Sequence, residues 1–139
     1  MESLMLKTSV KDKLEQLKLK GFLRTVETSL NQMIEQGTSF VDMLDFCLDA
    51  EINDRSNRRI ERLFSSAKFR YPTARLEHID YASERQIKKA NINHYANCEW
   101  INDCRGLIIS GATGVGKSWL ACAFGAEACH RGHSVMYFN

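Results

Sequence analysis

The sequence predicts an α/β fold over its second half, preceded by an all-helical domain. Three observations support this prediction. The short apolar run Gly106–Ser110 is rich in β-branched residues, which is typical of a buried parallel strand. A glycine-rich turn follows it, and Trp119–Cys129 then consists mostly of good helix formers. Over residues 10–68, apolar side chains recur with the period of an α-helix.

Helix start and stop signals divide the first half into three or four predicted helices. Gly21 interrupts the first apolar stripe, and Gly37 follows the second stripe as a glycine stop. Ser39 is the predicted N-cap of a further helix, with Asp42 at its third position. Because the single proline of the chain lies in Tyr71–Ala74, we expect the helical domain to end there.

We therefore predict two domains, a helical one over residues 1–75 and an α/β one over residues 76–139. The second would consist of a connector over residues 76–105, the strand Gly106–Ser110, the glycine-rich turn, a helix, and a second strand at Ser134–Phe138.

The glycine-rich turn at residues 111–118 matches the phosphate-loop pattern G-x-x-x-x-G-K-[ST] at every fixed position. Backbone N–H groups wrap phosphate oxygens where no Cβ intrudes, and the following helix N-terminus adds its positive dipole end. Lys117 would reach the β- and γ-phosphates, and the Ser118 hydroxyl would ligate Mg²⁺. The predicted nucleotide-binding residues are Gly111, Ala112, Thr113, Gly114, Val115, Gly116, Lys117 and Ser118.

Charge is divided along the predicted long helix. Residues 38–54 contain five acids and no lysine or arginine, whereas residues 55–75 contain seven bases and one acid. Arg55, Arg58, Arg59 and Arg62 follow a spacing that aligns them on one helical stripe. Because guanidinium groups suit phosphate oxygens, this stripe predicts a contact with a nucleic-acid backbone that does not depend on base sequence. The alternative is a solvated face that the preceding acids partly neutralise.

The N-terminal residues, the apolar runs and the cysteines indicate the class of protein. The first ten residues lack the layout of a secretory signal, and no apolar run approaches the roughly 18 residues needed to cross a bilayer. The five cysteines contain no C-x-x-C pair. A cytoplasmic protein with reduced thiols is the simplest interpretation.

With these residues in view, the chain resembles the IstB family, ATPases of the AAA+ class that assist insertion-sequence transposases and are relatives of the DnaC helicase loader. The resemblance runs from about Leu14 to the last residue, and the chain departs from the family pattern at Ala112, Val115 and Trp119. The residues that carry the resemblance are Leu17–Gly21, Glu51 with Arg55, Arg59 and Arg62, then Ala67–Phe69, Leu76–Tyr81, the phosphate loop and Gly132–Val135.

The resemblance implies a helical N-terminal domain that engages DNA or the transposase. It also implies a C-terminal domain that binds ATP and Mg²⁺ and assembles on DNA as a homo-oligomer. Adenine recognition in such proteins draws on the segment before the first strand, here Ile79–Tyr81.

An ATPase domain of this class needs well over about 150 residues, more than residues 76–139 provide. An apolar strand ending in paired acids should follow the second strand, and none does. We therefore expect a truncated chain without catalytic residues, whose strands lack neighbours, with weak nucleotide affinity and no hydrolysis.

Two other functions remain open at this point. The helices could act as a binding module that docks on a transposase, a helicase or DNA without ATP. A different phosphate-loop enzyme, such as a small-molecule kinase, is the third hypothesis, although small kinases usually begin with the loop strand.

Overall fold

The computed structural model describes residues 7–81 and 87–138 of the chain. The chain consists of two compact units, the first ending at Arg58 and the second beginning at Arg59. The predicted domain limit after residue 75 stays a prediction, and residues 82–86 of the predicted connector lie outside the described residues. The helices are α1 (Thr8–Gln16), α2 (Lys20–Glu35), α3 (Phe40–Ala67), a 3₁₀ turn (Leu76–His78), α4 (Lys89–Ala96), α5 (Glu99–Asn102) and α6 (Lys117–His130).

The predicted α/β fold, truncated after a second strand, is wrong. Across residues 7–81 and 87–138 the structure has helices and no β-strand. A strand exists only where a neighbour pairs with its backbone N–H and C=O groups. Neither Gly106–Ser110 nor Ser134–Phe138 forms a β-ladder, although the Tyr137 N–H donates to the Ala67 carbonyl at 2.9 Å. Ile108, expected inside a sheet, is 91% exposed.

The turn between α2 and α3 forms as the sequence predicts. Gly37, at φ 70°, donates its N–H to the Ile34 carbonyl, and Thr38 donates to the Met33 carbonyl, both at 3.0 Å. This pair of bonds is the Schellman ending of a helix. The Ser39 hydroxyl oxygen then accepts the Asp42 N–H at 3.2 Å, and the hydroxyl donates to the Asp42 carboxylate at 2.6 Å. The predicted helix stop and N-cap are both confirmed.

Replacing Ser39 by alanine should lower the free energy of unfolding by about 1 kcal/mol, because the Asp42 N–H loses its cap. Urea unfolding followed by circular dichroism measures the change. Ser56→Ala is the matched control, since Ser56 is an exposed residue inside α3 where alanine is the better helix former. Equal effects of the two substitutions would contradict a capping role for Ser39.

The break between α1 and α2 lies earlier than the sequence indicates. It falls at Leu17–Leu19, and Gly21 is inside the first turn of α2. Lys18 adopts φ 57° and donates its N–H to the Glu15 carbonyl at 2.9 Å, while Leu19 donates to Leu14 at 2.9 Å. A lysine therefore has the left-handed position that glycine usually takes at a helix end.

A buried glutamate of α3 caps the N-terminus of α2. One carboxylate oxygen of Glu51 accepts the N–H groups of Gly21 at 2.8 Å and Phe22 at 3.2 Å, and the other accepts the Arg55 Nε–H at 2.6 Å. Burial opposes ionisation of Glu51, but Arg55 and the two backbone donors outweigh it, so its pKa lies below the usual value. Glu51 thus satisfies backbone donors that a helix start leaves unpaired.

The core of the second unit forms around α6. Ala67, Phe69 and Ala74 are buried together with Cys122, Ala123 and Cys129 of that helix. The small side chains of α6 allow close approach, and a methyl group on Gly125 would lie 2.6 Å from the Phe69 ring. This packing positions the N-terminus of α6, where the phosphate-loop pattern ends.

All five cysteines are free thiols, and Cys104 is the exposed one. Burial raises the pKa of the Cys47 and Cys129 thiols, which favours the unreactive protonated form. Among the described helices, none combines the length and apolar character needed to cross a bilayer.

Candidate functional site

The phosphate-loop residues form an exposed turn that leads directly into α6. Gly116 is the N-cap of α6 and adopts φ 93°, and Gly114 adopts φ 83°. Left-handed glycines of this kind produce the backbone concavities that bind anions. A methyl group placed on either glycine would meet no atom within 4 Å, so open space lies beside the loop at both positions.

The N-terminus of α6 is itself without a counter-charge. No side chain caps it, and its first turn contains no acidic residue. The first N–H groups of a helix have no partner within the helix, and the helix dipole makes this end positive. An anion is therefore the chemical group that this helix start can accept.

Lys117, the first residue of α6, extends across the loop. Its Nζ donates to the Ala112 carbonyl at 2.7 Å and to the Gly111 carbonyl at 3.1 Å. These bonds hold the ammonium group beside the loop backbone instead of directing it into solvent. Ser118 follows on the same turn of the helix and is exposed.

A cavity of about 710 Å³ opens beside this loop. Ser110, Gly111, Ala112, Val115, Gly116 and Lys117 line one part of it. The volume lies within the roughly 300–1,000 Å³ range of small-molecule sites. The loop backbone and the lysine therefore face a space large enough for a nucleotide.

Residues outside the loop complete the lining of the cavity. His78, Ile79 and Asp80 contribute from the 3₁₀ turn onward, and Ile87, together with Trp119 and Leu120 of α6, adds apolar surface. Of the Ile79–Tyr81 segment implied by the family resemblance, Ile79 and Asp80 line this cavity. Tyr81 lines a second cavity, of about 420 Å³, with Glu77, Lys89 and Glu127.

Sequence reasoning missed several of these features. The helical pattern identifies Trp119 and Leu120 only as helix residues. No short-range sequence pattern connects Ile87 or His78 with the loop. The bonds from Lys117 to its own loop were also not foreseen, because a pattern match gives residue types and no side-chain partners.

In the first unit, the arginines of the predicted stripe pair with neighbouring acids. Arg55 contacts Glu51, and Arg58 contacts Asp54 at 2.7 Å and Glu51 at 3.8 Å. Arg24 of α2 also pairs with Asp54. The acids of the preceding helical turn thus neutralise part of the charge, as the alternative interpretation of the stripe required.

In the second unit, Arg59 donates from Nη2 to the Gly132 carbonyl at 3.3 Å, next to the C-terminus of α6. Arg62 is exposed on α3. A guanidinium at this helix end meets the negative end of the helix dipole. A DNA contact through Arg55, Arg58, Arg59 and Arg62 stays a prediction.

Comparison with known proteins gives a family match along most of the chain. Residues 12–139 match the family model described as IstB-like ATP binding protein. The chain is 37% identical over 126 residues to the insertion sequence IS1162 putative ATP-binding protein of Pseudomonas fluorescens, covering 91% of this chain and 54% of that relative.

Two further relatives agree. A putative insertion sequence ATP-binding protein of Sinorhizobium fredii is 33% identical over 126 residues, which are 91% of this chain and 51% of the relative. The insertion sequence IS21 putative ATP-binding protein of Pseudomonas aeruginosa is 27% identical over 124 residues, covering 89% and 46%. The chain spans about half the length of the curated relatives it matches.

Proposed function

The chain belongs to the family of IstB-like ATP-binding proteins, and from that premise we propose that it binds ATP and Mg²⁺ through Gly111–Ser118. The observation that carries the proposal is the position of Lys117, at the uncapped N-terminus of α6 and on the wall of a cavity of about 710 Å³. A positive helix end, an ammonium group and left-handed glycines are together suited to a polyphosphate.

The residues present fit the roles that the proposal gives them. The backbone N–H groups of the loop and the Lys117 ammonium would hold the phosphates, and the exposed Ser118 hydroxyl would be a ligand of Mg²⁺. Mg²⁺ would supply positive charge that offsets that of the phosphates. Binding would require Lys117 to exchange its bonds to the Gly111 and Ala112 carbonyls for phosphate oxygens.

The cavity residues outside the loop suit a nucleoside base. Ile79, Ile87 and Leu120 offer apolar contact to a planar ring, and Asp80 adds a polar group to the lining. This combination supports a nucleotide over inorganic phosphate as the preferred ligand.

We further propose that this ATP binding serves the movement of an insertion sequence, as the names of the relatives suggest for them. DNA, a transposase of the same element and further copies of the chain are the proposed partners. The rival proposal is a helical module that binds a transposase, helicase or DNA without nucleotide.

A thermal-unfolding experiment with ATP and Mg²⁺ tests the proposed site. Ligand at about 100 times its dissociation constant stabilises a protein by about 2.7 kcal/mol, which corresponds to a rise in Tm on the order of 8 °C for a chain of this size. Lys117→Ala should remove most of that rise. Replacing an exposed lysine outside the cavity, Lys88→Ala, should leave it unchanged.

The controls distinguish a nucleotide site from a general anion site. Inorganic phosphate at the same concentration should produce a much smaller rise than ATP. An equal rise with Lys117→Ala, or no rise with the unsubstituted chain, would contradict the proposal and favour the nucleotide-independent module.

A further inference from the structure

The first half of α3 has an apolar stripe that is partly exposed in the described part of the first unit. Val41, Leu44, Leu48 and Ile52 follow each other at intervals of three or four residues, which places them on one helical face. Their exposed fractions run from 40% for Leu44 to 71% for Val41. The eleven residue steps from Val41 to Ile52 span about 16 Å of helix, so the stripe is about three turns long.

The core side of the same helix borders the stripe. Cys47 and Glu51 are buried there, three and seven residues after Leu44, and a methyl group added to Gly21 of α2 would lie within 3 Å of α3. The stripe therefore lies next to the face that α3 uses to fold, and Val41 and Ile52 are its most exposed members. Four large apolar side chains aligned and exposed over three turns are more than the scattered exposure that is normal for a surface.

Acidic side chains lie beside the stripe. Asp45 and Asp49 are exposed one helical turn apart, and Asp42 lies one turn before Asp45. Residues 38–54 contain five acids and no lysine or arginine. The ion pairs of Glu51 and Asp54 leave Asp42, Asp45 and Asp49 without a basic partner in the described part of the chain.

We propose that Val41, Leu44, Leu48 and Ile52, with Asp45 and Asp49, form a docking surface for a lysine- or arginine-flanked amphipathic helix of a partner protein. The apolar residues have the three- and four-residue spacing with which helices pack against one another. The charge selects the partner, because acidic side chains attract a basic flank and repel an acidic one. Nucleic acid is excluded as the occupant, since phosphates would face carboxylates. We refer to these six residues as the acidic docking surface.

The inference is independent of the proposed ATP site, which lies in the second unit. Binding of a basic helix should therefore persist in Lys117→Ala. If the unsubstituted chain binds the basic helix but ATP does not raise its Tm, the ATP proposal alone is refuted. If ATP raises the Tm but the basic helix does not bind, the docking proposal alone is refuted.

A pair of synthetic peptides tests the surface with the full chain. Both are amphipathic helices of about 18 residues with the same leucine face, one flanked by lysines and the other by glutamates. We expect the basic peptide to bind at least about tenfold more tightly, with an affinity that falls as salt is raised. Leu44→Gln with Leu48→Gln should weaken it at least about tenfold, and Asp45→Asn with Asp49→Asn about threefold or more.

Matched variants distinguish binding at the acidic docking surface from non-specific binding of the peptides. Phe46→Gln removes an exposed apolar residue from the opposite side of α3, and Asp12→Asn with Glu15→Gln removes two exposed acids from α1. Neither should change the affinity. Equal binding of the two peptides, or equal losses in the control variants, would overturn the proposal. A concentration-dependent dimer that Leu44→Gln with Leu48→Gln abolishes would also overturn it, since a second copy would then occupy the surface.

Discussion

Replacing Gly21 by alanine is expected to lower the free energy of unfolding of the first unit by about 3 kcal/mol. An added Cβ would lie 2.7 Å from the Ala50 carbonyl oxygen, 2.8 Å from the Asp54 Cβ and 2.9 Å from the Glu51 Cα. Two of these three atoms belong to the backbone of α3, which cannot rotate away as a flexible side chain would. The two helices would have to separate at their point of closest approach.

The separation would have a second consequence. The Gly21 and Phe22 N–H groups reach the Glu51 carboxylate at 2.8 and 3.2 Å, and displacement of α2 would lengthen both bonds. The gain in helix propensity from glycine to alanine, about 1 kcal/mol at most, is too small to offset these losses. Urea unfolding and hydrogen exchange of the α2 amides measure the effect.

Gly106→Ala is the control for this substitution. A Cβ on Gly106 would meet nothing within 4 Å, and this glycine does not have the positive φ found at Gly114 and Gly116. We expect a change within about 0.5 kcal/mol. If Gly21→Ala is as mild as Gly106→Ala, then α2 and α3 do not pack this closely.

The features that the sequence predicted correctly depend on neighbouring residues. Ser39 bonds to Asp42 three positions away, and Gly37 bonds to Ile34, so residue type and spacing suffice to locate the turn between α2 and α3. The helix that follows the phosphate loop is equally local, since Trp119–Cys129 are good helix formers and α6 covers them.

Helix ends marked by lysine could not be predicted in this way. Lys18 and Lys68 both adopt left-handed conformations, at φ 57° and 53°, where α1 and α3 end. Lysine has no preference for that conformation. The free-energy cost of the left-handed backbone is offset by hydrogen bonds and packing that the sequence does not reveal. The sequence pattern therefore places the break of the first stripe at Gly21, which lies inside α2.

The strand prediction failed because a strand depends on its neighbours. Gly106–Ser110 and Ser134–Phe138 have the composition of strands, but composition alone supplies no partner for their backbone groups. The candidate site shows the same limit. The pattern located Lys117 and its loop, whereas Ile79 and Ile87 meet the loop only through the fold of the second unit.

Replacing Glu51 by glutamine is expected to destabilise the first unit at neutral pH and to have little effect in acid. At pH 7 the ionised carboxylate accepts two backbone N–H groups and the Arg55 Nε–H. Hydrogen bonds to a charged group contribute roughly 1.5–3 kcal/mol each when buried, so we expect a loss of about 2 kcal/mol in Glu51→Gln. Glu51→Ala, which removes the acceptor entirely, should cost about 3 kcal/mol.

The pH dependence has a definite sign. The pKa of Glu51 is lowered from 4.5 in the folded chain, so unfolding makes the carboxylate a stronger proton acceptor. Its contribution to stability is therefore complete at pH values above 4.5 and is lost as the pH falls through the folded-state value. The difference in unfolding free energy between the unsubstituted chain and Glu51→Gln should shrink towards zero over that interval, as measured by urea unfolding at a series of pH values.

Glu35→Gln separates this effect from general acid denaturation. Glu35 is an exposed glutamate at the end of α2, so its replacement should leave stability nearly unchanged at every pH. If the Glu51→Gln difference were the same at pH 7 and at pH 3, Glu51 would stabilise the unit through shape alone. Its charge would then contribute nothing to the capping of α2, and the dependence of α2 on an ionised residue of α3 would be refuted.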